Sequence, residues 1–352
     1  GKFYVWKKSE IKEILGNDAD SFCLFYDVTD GGNWEGKSIL CNNVNLSSVA
    51  FQAGISEDKL QQNLDSNAKK LLDVRSKRIA PGLDDKVLTS WNALMITAFA
   101  KGYRVTNEKK YLDTAEKCID FIENNLVKDG TLLRTYKDGK AKLQGYLEDY
   151  SYFGVALLDV FEINPELKYL ERAQEIANYL VEHFWDSKTN SFYMTADDHE
   201  KLIIRPKSNY DLSLPSGNSV AANLLLRLFH LTQDKKFLEI ATNIMENQAQ
   251  MAAENPFGFG HLLNTAFMYL QKPKEITVLN SQNNEIVDSL TNRFLPESIL
   301  VTVKNENQLN NLSNLPFFEG KKFQNNKTTV FVCKDFTCSL PLETISEIEK
   351  QL

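Results

Sequence analysis

The chain has 352 residues, 43% hydrophobic and 25% charged, with a formal net charge of −7 and a pI near 5.4. That is the composition of a soluble globular protein, long enough for one large domain or two to three ordinary ones. No basic stripe favours nucleic acid, and no apolar run approaches the roughly 18 residues that a bilayer span needs. Five cysteines, odd in number and scattered, point to reduced thiols and a cytoplasmic setting.

The opening GKFYVWKK reads as a strand, begins without an initiator Met and reads as part of something longer. SEIKEILG reads as a short helix capped by Ser9 and stopped at Gly16, and DGGNWEGKSIL as a turn plus a strand. Ser56 caps a helix expected over residues 57–74. Apolar and amphipathic helices then alternate. The apolar ones are expected over 88–104, 150–163, 218–231 and 260–270, and the amphipathic ones over 109–126, 168–184 and 236–251.

The amphipathic members echo one another as KKYLDTAEKCIDFIENNL, LKYLERAQEIANYLVEHF and KKFLEIATNIMENQAQMA, at a period of about 60–70 residues. A repeating αα-hairpin with one buried and one half-buried helix predicts an inner and an outer ring, an (α/α)6 toroid of which about four inner and four outer helices are visible. Links from inner to outer helices are short (VTNEKK, NPEL, TQDKK), whereas most return links are long. The long links must therefore gather at one end, beside the N-termini of the inner helices, where binding and chemistry tend to sit. Two of them contain hairpin-like runs, GTLLRTYKDGKAKL and TNSFYMTADDHEKLIIR. After Pro273 the β-branched runs KEITVLN, SILVTVK and KTTVFVC alternate with helical NEIVDSLTNRF and LETISEIEKQL. The expected division is a partial barrel over 1–273 and a small α/β lobe over 274–352, with NENQLNNLSNLP and EGKKFQNNK as loops.

Several constellations open inner helices. Asp84 and Asp85 precede a helix capped by Thr89 or Ser90, with Trp91 and Asn92 in its first turn; Glu148, Asp149 and Tyr150 hold the equivalent place at the next. Paired carboxylates facing across a barrel end suit glycoside chemistry, in which one protonates the leaving oxygen and the other activates water or attacks. Capping of the helix and local ion pairing are the plainer roles for the same residues. Ser216, Gly217 and Asn218 open the third inner helix, as a cap and a point of close approach. His261 opens the fourth as an acid–base candidate or a structural histidine. Trp34 and Glu35 on a Gly-rich turn are expected at the same mouth, and Arg205 is either a clamp for an anionic sugar or a partner for a surface acid. His183, His199 and His230 show no metal-ligand spacing, and no metal or cofactor is expected. Cys333 and Cys338 enclose KDFT, neither a redox Cys-x-x-Cys nor half a zinc site, and read as buried or incidental thiols, with a thiol-redox role as the alternative.

GKFYVW, GNWEGKSIL, RIAPGLDDKVLTSWNALMI, GYLEDYSYFGVALL, LPSGNSVAANLL and VFVCKDFTCSLPLETI together resemble a family of long proteins. Its members carry an N-terminal thioredoxin-like domain followed by a six-hairpin (α/α) barrel, and the mammalian member is called a spermatogenesis-associated protein. The resemblance covers essentially the whole chain and implies a barrel like those of N-acylglucosamine 2-epimerase and six-hairpin glycosidases. It also implies cysteines at the positions of Cys333 and Cys338, and a thioredoxin-like domain in cis that this chain lacks. Epimerase-type barrels use histidines, and this chain offers His261 alone on an inner helix. The expected function is a glycosidase-like hydrolase or a sugar epimerase or isomerase acting on a small-molecule sugar. Asp84, Asp85, Glu148, Asp149 and His261 would be catalytic, and Trp34, Glu35, Trp91, Asn92, Tyr150, Ser216, Asn218 and Arg205 would bind substrate. The alternative is a non-catalytic binding scaffold for the thioredoxin-like domain, with neither nucleic acid nor membrane as partner.

Overall fold

The structure is a computed structural model that describes residues 1–200, 203–280, 284–324, 327–335 and 337–352. Lys201 and Leu202 of the second expected hairpin, Asn325 and Asn326 of one expected loop, and Phe336 between two cysteines lie outside the described residues.

The chain divides into two compact units, Gly1–Asp84 and Asp85–Leu352. The first holds α1 (Lys8–Leu15), α2 (Ala19–Phe25), α3 (Leu46–Ala53) and α4 (Glu57–Ser76) around Trp6, Ile11, Phe22, Leu60 and Leu64. The opening segment is not a strand: Trp6 makes only an isolated bridge to Ser38. Ser9 does not cap α1 but lies within it, and the Lys7 N–H instead donates to Glu10 Oε2 at 2.9 Å. Arg78 closes the unit by donating to the carbonyls of Phe3 and Val5 while lying 3.8 Å from the Trp6 ring centre.

The second unit begins with β1 (Val87–Leu88), α5 (Thr89–Thr106) and α6 (Lys109–Asn125). The next stretch is β2 (Val127–Lys128), β3 (Thr131–Lys137), β4 (Lys140–Gln144), α7 (Leu147–Ile163) and α8 (Leu167–His183). Then come β5 (Trp185–Asp186), β6 (Ser191–Phe192), α9 (Gly217–Thr232), α10 (Lys235–Glu254) and α11 (Gly260–Gln271). Helices α5, α7, α9 and α11 pack side by side, and α6, α8 and α10 each fold back against the helix before them. The apolar α7 and α9 are buried on nearly every face, whereas α6 and α8 bury one stripe, as the alternation of helix types requires. This is the mainly α, inner-and-outer arrangement of (α/α) hairpins. Gly154 lets α7 and α9 cross closely, since a Cβ there would lie 2.6 Å from Leu224.

The β3–β4 hairpin turns at Asp138 and Gly139, both at positive φ, the pairing that a tight two-residue turn demands. It belongs to the long link between α6 and α7, and β1 extends its edge.

Residues 274–352 supply β7 (Lys274–Leu279), α12 (Asn284–Thr291), β8 (Ser298–Val303), α13 (Glu306–Leu312), β9 (Thr329–Lys334), β10 (Thr337–Cys338) and α14 (Ile345–Glu349). The sheet order is β10-β9-β7-β8, with β7 and β8 parallel across α12. The expected loop NENQLNNLSNLP contains α13, which Asn305 caps. Ile299, Val301, Phe317, Phe318 and Phe331 share one core with α5, α7 and α9. The expectation of five reduced thiols is also corrected. Cys333 and Cys338 face each other across β9 and β10 and are joined as a disulfide, while Cys23, Cys41 and Cys118 are free.

A buried charge network ties the C-terminal halves of three inner helices. Arg227 on α9 meets Asp159 at 2.8 Å and Glu162 at 2.6 Å on α7, and Arg104 on α5 meets the other Glu162 oxygen at 2.6 Å.

Candidate functional site

The N-terminal ends of α7 and α9 meet at Gly217. A Cβ there would lie 2.6 Å from Leu147 and 3.2 Å from the Glu148 nitrogen, so the close approach that glycine permits is to a neighbouring helix. Beside this junction lies a cleft of about 320 Å³. Tyr146, Leu147 and Glu148 form one wall, Ser216 and Gly217 the base, and the link segment from Ser208 to Pro215 the other wall. Among the described residues Glu148 is the only carboxylate in the wall.

Glu148 pairs with Arg134 of β3 at 2.8 Å. The same guanidinium lies 4.5 Å from the Tyr146 ring centre and donates to Asp149 at 2.9 Å. Asp149 is fully buried and does not line the cleft. Its oxygens accept from the Ser90 nitrogen at 3.0 Å and the Tyr146 nitrogen at 2.9 Å, so it caps the N-termini of both α5 and α7. The expected cap by Thr89 or Ser90 is thereby replaced; the Thr89 hydroxyl instead donates to the Leu133 carbonyl. Burial pushes the Asp149 carboxyl up, against the pull of Arg134 and the two N–H donors.

Asp211, which sequence reasoning missed, does the same work at the next pair of helices. It accepts from the Ser216 nitrogen at 2.7 Å, and from His261 and Leu262 at 2.8 and 3.2 Å, joining the starts of α9 and α11. Its signal was an acidic residue five positions before the Ser216 cap. Tyr152, also missed, donates from the body of α7 to the Pro215 carbonyl under the cleft, and burial pushes its hydroxyl well up.

The remaining expected residues fall in different places. Ser216 caps α9 by accepting from the Ser219 nitrogen at 3.0 Å. Asn218 is fully buried, accepting from the Phe192 nitrogen and donating to the carbonyls of Phe192 and Ser208, so it pins the long link to α9. Tyr150 is in the core, stacked on Tyr179 with its hydroxyl accepting from the Leu132 nitrogen at 2.9 Å. Arg205 donates to the carbonyls of His183 and Thr195 and covers the Tyr193 ring. Burial lowers the His261 imidazole, whose Nε2 has no partner among the described residues. Asp85 is half-exposed and held by Lys137 at 2.5 Å, which keeps its carboxyl below the usual range. Trp91 is exposed on the first turn of α5, and the Asn92 amide donates back to the Leu88 carbonyl. Trp34, Glu35 and Asp84 belong to the first unit, and all the cleft walls come from the second.

One further grouping was not legible as a motif. His183 at the end of α8 lies with Asp197 and Asp198, their ligand atoms within 4.8 Å of one another. His183 Nδ1 and Asp197 are already 2.8 Å apart, and Asp198 accepts from Tyr179, so the three could serve a cation only by exchanging these bonds.

The site thus sits at the N-terminal ends of the inner helices of a mainly helical (α/α) hairpin protein. No family model matches the chain. It is 27% identical to an uncharacterized protein of Caenorhabditis elegans over 99% of this chain and 51% of that one. It is 24% identical to spermatogenesis-associated protein 20 of Homo sapiens over all of this chain and 49% of that one. The chain therefore spans about half the length of the curated relatives it matches. Among solved structures it is similar to an α-mannanase of Bacteroides thetaiotaomicron, with a TM-score of 0.44 and 15% identity over 67% of this chain and 68% of that one. No helix is long and apolar enough to cross a membrane among the described residues.

Proposed function

We propose that the cleft at the start of α7 and α9 binds a carbohydrate and that Glu148 is its acid–base group. The observation that carries this reading is the position of Glu148: a carboxylate in the wall of an open cleft, oriented by Arg134 and flanked by the Tyr146 ring. Aromatic faces and small hydroxyls such as Ser208 and Ser213 suit a sugar, whose rings present apolar faces and polar edges. The reaction class is a hydrolysis or an isomerisation of a sugar. A screen of sugars and aryl glycosides against the whole chain tests it. Turnover of any member that Glu148→Gln abolishes supports the reading, and turnover unchanged in that variant overturns it.

The second reading is a non-catalytic carbohydrate-binding or client-binding scaffold that works with a thioredoxin-like domain in cis. It is favoured by the commitment of Asp149 and Asp211 to helix caps and of Asp85 to Lys137. Among the described residues Glu148 then stands without a second carboxylate in the wall, whereas two-carboxylate glycoside chemistry needs one. Sugar binding by calorimetry with no turnover of any member of the screen selects this reading.

A further inference from the structure

A second cavity, also of about 320 Å³, lies at the opposite end of the inner helices. Its upper wall is the end of α5, where Tyr103 and Arg104 precede Asn107, a left-handed residue that stops the helix. Its lower wall is β8 and α12. Leu300 and Thr302, two apart on a strand, share one face, and Val287 and Thr291, four apart on a helix, share another.

The charges on these walls are unequal in status. Arg104 is already taken: it pairs with Glu162 at 2.6 Å, donates to the Leu300 carbonyl at 3.3 Å, and belongs to the network in which Arg104 and Arg227 balance Glu162 and Asp159. Two formal charges are left over. Lys304, just past β8, has among the described residues only the Tyr103 ring, 5.6 Å from its ammonium, and acts on Glu166 from beyond ion-pair distance. Asp288 on α12 has no side-chain partner among the described residues. One cation and one anion thus border the same cavity, on separate elements, and Tyr103, Ile163, Val287 and Leu300 line it with them.

We infer that this cavity binds a small zwitterion of the α-amino-acid class. The ligand's carboxylate meets Lys304, its ammonium meets Asp288, and its side chain lies over Tyr103 and the apolar floor. The volume is at the small end of the range for ligand pockets, which fits a single amino acid and excludes an oligosaccharide. A singly charged ligand would engage only one of the two wall charges, whereas a zwitterion engages both, each through a charge-assisted bond. The site is independent of the sugar cleft, because no residue lines both.

The test is a thermal-shift and calorimetric screen of the whole chain against the twenty common L-amino acids. Each compound that binds is then repeated as its N-acetyl derivative and as its carboxamide, and inorganic phosphate is run alone. The expected result is saturable binding of at least one amino acid, lost in both derivatives. Lys304→Met and Asp288→Asn should each weaken it about tenfold or more, the loss of one charge-assisted bond. Both residues are exposed, so both variants should fold as the parent does, which an unchanged circular dichroism spectrum checks. No binding across the panel overturns the proposal. Binding that survives either substitution, or that phosphate alone reproduces, overturns it too.

Discussion

The two ends of the inner helices use the same residue types to opposite effect. At the C-terminal ends, Arg104, Asp159, Glu162 and Arg227 answer one another inside the bundle, side chain to side chain. At the N-terminal ends, Asp149 and Asp211 answer main-chain N–H groups that the helices cannot satisfy for themselves. The first arrangement locks α5, α7 and α9 together, with only Asp159 Oδ2 unpartnered among the described residues of the network. The second organises four helix starts and leaves Glu148 facing a cleft. A carboxylate is available for function only where its neighbours do not need it for folding.

The largest test of that contrast is at the closed end. Arg227 is buried, and Arg227→Met leaves Asp159 without its cation and Glu162 with only Arg104. Removing one partner of a buried pair costs about 3–5 kcal/mol. Urea unfolding should show a loss of that size, and a loss below about 1 kcal/mol would mean that the network is solvated and the contrast false. Asp211→Ala comes next. It strips one N-terminal N–H from α9 and two from α11, and at about 1 kcal/mol per cap the expected cost is about 2 kcal/mol. The variant should also loosen the starts of α9 and α11, seen as faster amide exchange there than in α7.

His261 gives a smaller, pH-dependent signal. Burial lowers its folded pKa below the ordinary value of about 6.5 that the unfolded chain retains. Below about pH 6.5 the unfolded state therefore binds a proton that the folded state refuses, and stability falls as pH drops towards the folded pKa. Above that range the effect vanishes. His261→Gln should flatten the acid limb of the stability profile and leave it unchanged at pH 8. A parallel displacement of the whole curve would instead assign His261 a packing role alone.

The helical hairpins were legible because burial on all sides or on one side writes a different pattern into α7 and α6. The Asp-Gly turn of the β3–β4 hairpin was legible for the same local reason. The site was legible only as an end of the bundle. Asp149 reads as one of a catalytic pair until its partner at Ser90, 59 residues earlier, is seen. Asp211 reads as loop, because its partners begin two different helices. Arg227 sits in the apolar run LLLRLFHL, where nothing local announces two acids on α7. Each failure has one cause: capping and ion pairing across the bundle depend on contacts distant in sequence. The disulfide between Cys333 and Cys338 likewise needs the β9–β10 register to bring two unremarkable cysteines face to face.

The smallest expected effect on stability is the most informative about use. Glu148 is 30% exposed in its side chain, and Arg134 keeps Asp149 as partner when Glu148 is neutralised. Glu148→Gln should therefore cost less than about 1 kcal/mol, the ordinary worth of a partly solvated ion pair. Asp149→Asn, one residue on, should cost more, because an amide can accept at only one of the two oxygen positions that now serve Ser90, Tyr146 and Arg134. Adjacent carboxylates with unequal structural duties separate folding from function. If Glu148→Gln proves as costly as Asp149→Asn, Glu148 is a structural group like its neighbour, and the open end of the helices holds no carboxylate free for chemistry.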